Sequence, residues 1–176
     1  MARIGFVDPD TNPDIAELAG RMSSARRGNL INVYRMLLNS PPLAESWFMH
    51  MNAVRWGTTL SGRLRELVII RIGHLTEAAY VLRQHVPKLA AADGVSEDEC
   101  WELADWPASK SFTPAERAVL AYTDAVTRTT RAPAGVFEAL QSHFDERAIL
   151  ELTVLVATYN MHTRVMNALE IDLEPA

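Results

Sequence analysis

The chain has 176 residues, enough for one domain with a real core and short for two. With 48% apolar and 22% charged residues it is composed like a globular protein, not a disordered one. A net charge of −5 argues against a nucleic-acid partner, since Arg26-Arg27 and Arg63/Arg65 are pairs and form no basic stripe. No run approaches the ~18 consecutive apolar residues of a membrane-spanning helix. Met1 to Asp8 lacks a secretory apolar region, so a cytoplasmic protein without a membrane partner is expected.

The punctuation of the chain is helical throughout. Asn12-Pro13 opens a helix predicted over 13–26, with a capping side chain ahead of Pro at the first helical position. Leu30, Val33, Tyr34, Leu37 and Leu38 recur at three and four and predict a helix over 29–39. Ser40-Pro41 starts the next, 41–56, which Gly57 is expected to stop in a left-handed residue. A helix over 61–74 is apolar nearly all round from Leu67 onward and must be covered by its own chain or by a second subunit. Thr76 is a plausible cap for a helix over 77–93, whose stripe is Ala78, Val81, Leu82, His85 and Leu89, and which ends at Gly94. Ser96 with Glu99 and Thr113 with Glu116 have capping-box spacing and start helices over 97–105 and 114–130. Helices over 133–143 and 146–168 follow, the second capped by Asp145 and carrying Leu152, Leu155, Val156 and Tyr159. Period-two alternation, solenoid repeats and low-complexity runs are missing. The segment Trp106 to Phe112 separates two helical halves but is too short for a linker. The reading is all-α, eight or nine helices, one domain over 1–176.

The turn at Leu75-Thr76 makes 61–74 and 77–93 an antiparallel hairpin. Glu66 lies roughly eight residues before that turn and His85 roughly nine after it, so the two come near the same level. Their separation is 85 − 66 = 19 residues. A carboxylate beside an imidazole raises its basicity, and the pair can pass a proton directly or through one water. From spacing alone, Glu66 reads equally as a solvated first-turn acid and His85 as a core histidine bonded to a carbonyl.

The run Arg65-Glu66-Leu67-Val68-Ile69, then Tyr80 and His85, then Ala90-Ala91-Ala92-Asp93-Gly94-Val95-Ser96, resembles the core of the carboxymuconolactone decarboxylase and AhpD-like alkylhydroperoxidase superfamily. Residues about 40–105 carry the likeness. It implies an AhpD-like helical bundle, a homo-oligomer, and Glu66 and His85 as catalytic residues. In the AhpD-like branch two cysteines stand seven and four residues before the histidine; here those places hold Ala78 and Val81. Many decarboxylase-like members carry a glutamate at the second place, in a Y-E-W run; here the run is Tyr80-Val81-Leu82. No sulfur is therefore present there to attack a peroxide. What remains is an acid and a base in a pocket expected to be lined by Ala78, Tyr80, Val81 and Leu82, suited to a small organic ligand. Arg71 and Arg83 are candidates to hold a substrate carboxylate, against the alternative of structural salt bridges.

Other residues recede. Cys100 is the single cysteine and sits among acids that oppose a thiolate, so it reads as a buried inert thiol. His50, His74, His143 and His162 form no metal motif, and no Gly-rich loop offers a nucleotide a seat, so neither a metal nor a cofactor is expected. Tyr159, Asn160 and His162 on the last helix read either as lining the same pocket or, more in keeping with helical spacing, as core for Tyr159 and edge for His162, and Trp47 to Met51 read as packing or subunit interface. The expectation is a cofactor-independent lyase or isomerase acting through Glu66 and His85. Its rivals are a non-catalytic ligand-binding or scaffold protein and, less favoured, a peroxidase using Cys100.

Overall fold

In a computed structural model that describes residues 1–25 and 28–174, the chain is all-helical, with no strand among those residues. The helices in chain order are α1 (Pro13–Ser24), α2 (Asn32–Leu37), α3 (Pro41–Trp56), α4 (Gly62–Leu75), α5 (Ala79–His85), α6 (Lys88–Ala92), α7 (Glu97–Glu102), α8 (Pro114–Thr129), α9 (Ala134–Gln141) and α10 (Glu146–Ala168). Short 3-10 turns occupy Pro9–Thr11 and Leu103–Asp105. Residue 26 of the first predicted helix and the Arg26-Arg27 pair lie outside the described residues. Among the described residues no helix is long and apolar enough to cross a membrane.

Several helix starts follow from local chemistry. Ser96 Oγ accepts the Glu99 N–H at 3.2 Å while Glu99 Oε2 accepts the Ser96 N–H at 2.9 Å. Thr113 and Glu116 make the same exchange, and Asp145 accepts the Ala148 N–H. Asn12 and Ser40 stand before their prolines but make no side-chain cap. Thr76 closes α4 instead of opening α5: its hydroxyl donates to Ile72 O at 2.7 Å, and Ala78 takes the N-cap place. Gly57 follows α3 at φ −100°, not in the left-handed region, whereas Gly94 does adopt φ +79°.

The long helix predicted over 77–93 is two helices. Pro87 has no N–H to continue the ladder, and its ring drives Val86 out of the helical region, to φ −94° and ψ 133°. His85 therefore becomes the last residue of α5. Shorter trims occur at α2, which spans only part of 29–39, and at 103–105, where the helix tightens into a 3-10 turn.

Helix α4 runs through the middle, with every residue from Arg65 to Gly73 buried and α5, α8 and α10 packed on it. The chain covers this helix by itself, so its apolar surface needs no second subunit. Gly73 permits the close approach of α5: a Cβ there would lie 2.8 Å from Leu82 Cδ2. At the hairpin turn, Glu77 holds φ +52° so that the Ala78 N–H can reach Gly73 O at 2.9 Å. A side chain in that region costs about 1 kcal/mol relative to glycine. Replacing Glu77→Gly should therefore raise Tm by roughly 2–4 °C, measured by thermal denaturation followed by circular dichroism.

Candidate functional site

Four helices bring the site together. Arg55 comes from the last turn of α3, Glu66 from α4, His85 from the end of α5, and Tyr159 and His162 from α10. His85 Nδ1 and Glu66 Oε2 lie 2.6 Å apart, with Glu66 wholly buried and His85 5% exposed. Glu66 Oε1 has no hydrogen-bond partner among the described residues and faces Arg55 Nη2 at 3.6 Å. Arg55 Nη1 donates to Tyr159 Oη at 3.3 Å, and the Tyr159 ring meets those of His85 and His162 at centroid distances of 5.9 and 5.6 Å. Arg65 is turned away from this group, donating to Arg55 O and to Asp93, both at 2.9 Å.

Electrostatics keep Glu66 ionised. Burial alone would push its pKa up, but the charge and hydrogen bond of His85, followed by the charges of Arg55 and Arg65, pull it below the ordinary carboxylate value. Burial likewise works against the Arg55 charge and is overcome by Tyr159 and Glu66. An ionised Glu66 selects the tautomer in which His85 donates its Nδ1–H, which makes Nε2 the basic nitrogen. The arrangement can thus accept a proton at His85 and hold the resulting imidazolium against a carboxylate.

The cavity beside His85 is bounded by Tyr34, Arg55, Tyr80, Val81, Gln84 and Tyr159, among others, and opens about 20 Å³ to a water-sized sphere. That is room for one water. Of the expected lining, Tyr80 and Val81 reach this cavity, while Ala78 is packed in the core and Leu82 lies against Gly73. Arg71 does not reach it. Its Nε and Nη2 donate to the Asp124 carboxylate, each at 2.6 Å, and Nη1 donates to Leu103 O and Ala104 O, so its donors are spent on structure. Arg83 is exposed and outside the cavity lining.

The buried cation of the site is Arg55, which the sequence reading passed over. Its one signal was a charge at the end of an apolar helix with no acid within a turn of it. Of Tyr159, Asn160 and His162, which the sequence left between pocket lining and packing, Tyr159 and His162 line the cavity. Among the described residues no three His, Cys, Asp or Glu side chains gather in a way that would hold a metal ion.

Residues 41–125 match the carboxymuconolactone decarboxylase family. An Agrobacterium tumefaciens protein of unknown function, linked to antioxidant defence and to AhpD, superposes with a TM-score of 0.75 at 27% identity, over 80% of this chain and 97% of that one. Just under half of the chain thus resembles the carboxymuconolactone decarboxylase family, and the whole has the fold of AhpD-like proteins. The uncharacterised protein YnjA of Escherichia coli is 33% identical over 115 residues, and the match spans 63% of this chain and 61% of that protein's length. The debrominase Bmp8, solved with 2,3,4-tribromopyrrole, shares the fold at 18% identity, with a TM-score of 0.80 over 99% of this chain and 94% of that one.

Against the AhpD-like pattern, the places of both cysteines are filled by core side chains, since Ala78 is fully buried and Val81 nearly so. Cys100 offers no substitute. Burial first, then the charges of Glu66, Glu99 and Glu97, push its thiol up to about 11.

Two outcomes follow from these charges. Because the folded pKa of Glu66 is depressed, its contribution to stability is full above the ordinary value of 4.5 and is lost as pH falls through the lower folded value. Glu66→Gln should therefore flatten the rise of unfolding free energy with pH just below 4.5, measured by urea denaturation across that range. At pH 8, Cys100 should stay unreactive toward DTNB in the folded protein and titrate fully once guanidinium unfolds the chain.

Proposed function

We propose that the protein is a cofactor-independent enzyme of lyase or isomerase type, moving a proton on a small carboxylated organic substrate. The observation that carries this reading is the buried 2.6 Å contact between His85 Nδ1 and Glu66 Oε2. His85 Nε2 takes a proton from the substrate, and Glu66 steadies the imidazolium so formed. In an isomerisation the proton returns to a different carbon. In a decarboxylation, carbon dioxide leaves with its bond electrons left on the substrate, and the imidazolium reprotonates that carbon. Arg55 offsets the Glu66 charge and thereby keeps the acid ionised between turnovers. The family name, a decarboxylase, and a ring compound bound to a protein of this fold both support a small organic substrate. Assembly as a homo-oligomer belongs to the same reading and rests on the resemblance, and a cytoplasmic location rests on the N-terminal sequence.

One observation favours a second reading, a non-catalytic protein that keeps the fold: the cavity beside His85 holds only about one water. Solvent-deuterium incorporation separates the two. A panel of small keto acids and lactone acids is incubated with the protein in D2O and followed by NMR. The enzyme reading expects exchange or conversion of at least one member, reduced ~10²–10⁴-fold in His85→Ala while far-UV circular dichroism stays unchanged. Equal rates in His85→Ala and the parent protein would remove His85 from the chemistry, and no exchange across the panel would favour the non-catalytic reading.

A further inference from the structure

The segment after α10 folds back over the site. Ile171 is buried among α1, α2 and α3 side chains, and Asp172 accepts the Ala2 N–H at 2.9 Å through its side chain and the Asn32 side-chain amide at 3.0 Å through its backbone carbonyl. These ties deliver Glu174 to the edge of the cavity. Its Oε1 accepts the Tyr80 hydroxyl at 2.6 Å and the Asn32 N–H at 2.8 Å, and its Oε2 accepts from the Gln84 amide. The Tyr80 oxygen is itself held by the Val33 N–H at 3.3 Å. Tyr80 and Gln84 are one helical turn apart on α5 and line the same cavity as His85, while Asn32 sits between the lining residues Ile31 and Val33. Among the described residues no cation pairs with Glu174. The seat is made of neutral donors.

Three aimed donors around one carboxylate form a recognition site in their own right, because hydrogen bonds to an ionised acceptor are about twice as strong as neutral ones. Arg71 and Arg83 do not reach this cavity, and Arg55 is committed to Glu66 and Tyr159. We propose that the Tyr80, Gln84 and Asn32 donors are the carboxylate subsite of the His85 pocket, and that Glu174 occupies it as an internal stand-in for a substrate carboxylate. The substrate class is then a small monocarboxylate or dicarboxylate whose acid group displaces Glu174 and whose reacting carbon faces His85. This rests on the proton-transfer reading for its purpose, though not for its test.

Propionate reproduces the end of a glutamate side chain, and propionamide is its neutral counterpart. Both are titrated into the parent protein, Glu174→Ala, and Glu174→Ala combined with Gln84→Leu, following the backbone amide NMR shifts of Asn32, Val33 and Tyr80. Thermal denaturation confirms that each variant is folded. Expected is at least tenfold tighter propionate binding in Glu174→Ala than in the parent, no gain for propionamide, and loss of most of the gain in the double variant. Unchanged propionate affinity in Glu174→Ala, equal gains for acid and amide, or a gain that survives Gln84→Leu would each overturn the subsite. Propionate binding that is gained even with His85→Ala added, alongside a failed deuterium experiment, would leave the subsite standing and the proton relay refuted. The reverse pattern would refute the subsite alone.

Discussion

Glu66 is ionised and fully enclosed, and a charge removed from water must be met by opposite charge and hydrogen bonds from the protein around it. That requirement sets the positions of three other helices relative to α4. The end of α3 must bring Arg55, the end of α5 must bring His85, and α10 must bring Tyr159 to hold Arg55 in turn. Removing one member of such a group leaves the others charged and unsatisfied, which costs about 3–5 kcal/mol. Well-packed apolar residues would stabilise the same space at least as well. The stability of the fold alone therefore does not require an ionic cluster here.

The sequence revealed what is local. Ser96 with Glu99 and Thr113 with Glu116 announced helix starts because each pair satisfies its donors within four residues. The Glu66–His85 meeting was legible because a three-residue turn leaves two helices little freedom but to lie side by side. Pro87 could have been read as a break, yet the apolar spacing ran through it and won. The failures concern partners far along the chain. Arg71 stays open between substrate cation and structural salt bridge on sequence alone, because Asp124, which holds it, is 53 residues away and no spacing rule connects them. Arg55 meets Tyr159 across 104 residues, and Tyr159 has the same helical spacing as any core residue of α10.

The two positions that carry cysteine in the AhpD-like branch are part of the packed core here. Ala78 and Val81 fill their places with small apolar volume in the same core cluster as Tyr159 and Val68. The histidine a turn further on keeps its acid, its buried setting and its aromatic neighbour. The acid–imidazole contact of this hairpin therefore forms without sulfur at either place.

The clamp on Arg71 has a mechanical meaning. Two oxygens of Asp124 and two backbone carbonyls grip one guanidinium near the far end of α4, and Arg65 is gripped by Asp93 and by the α3 backbone near the other. A rod fastened at both ends neither slides nor rolls, so the acid it carries stays at a constant height in the bundle. The opposite wall is tied differently: α2 and the returning segment share a core through Val33, Tyr34 and Ile171, and their hydrogen bonds converge on Asp172 and Glu174.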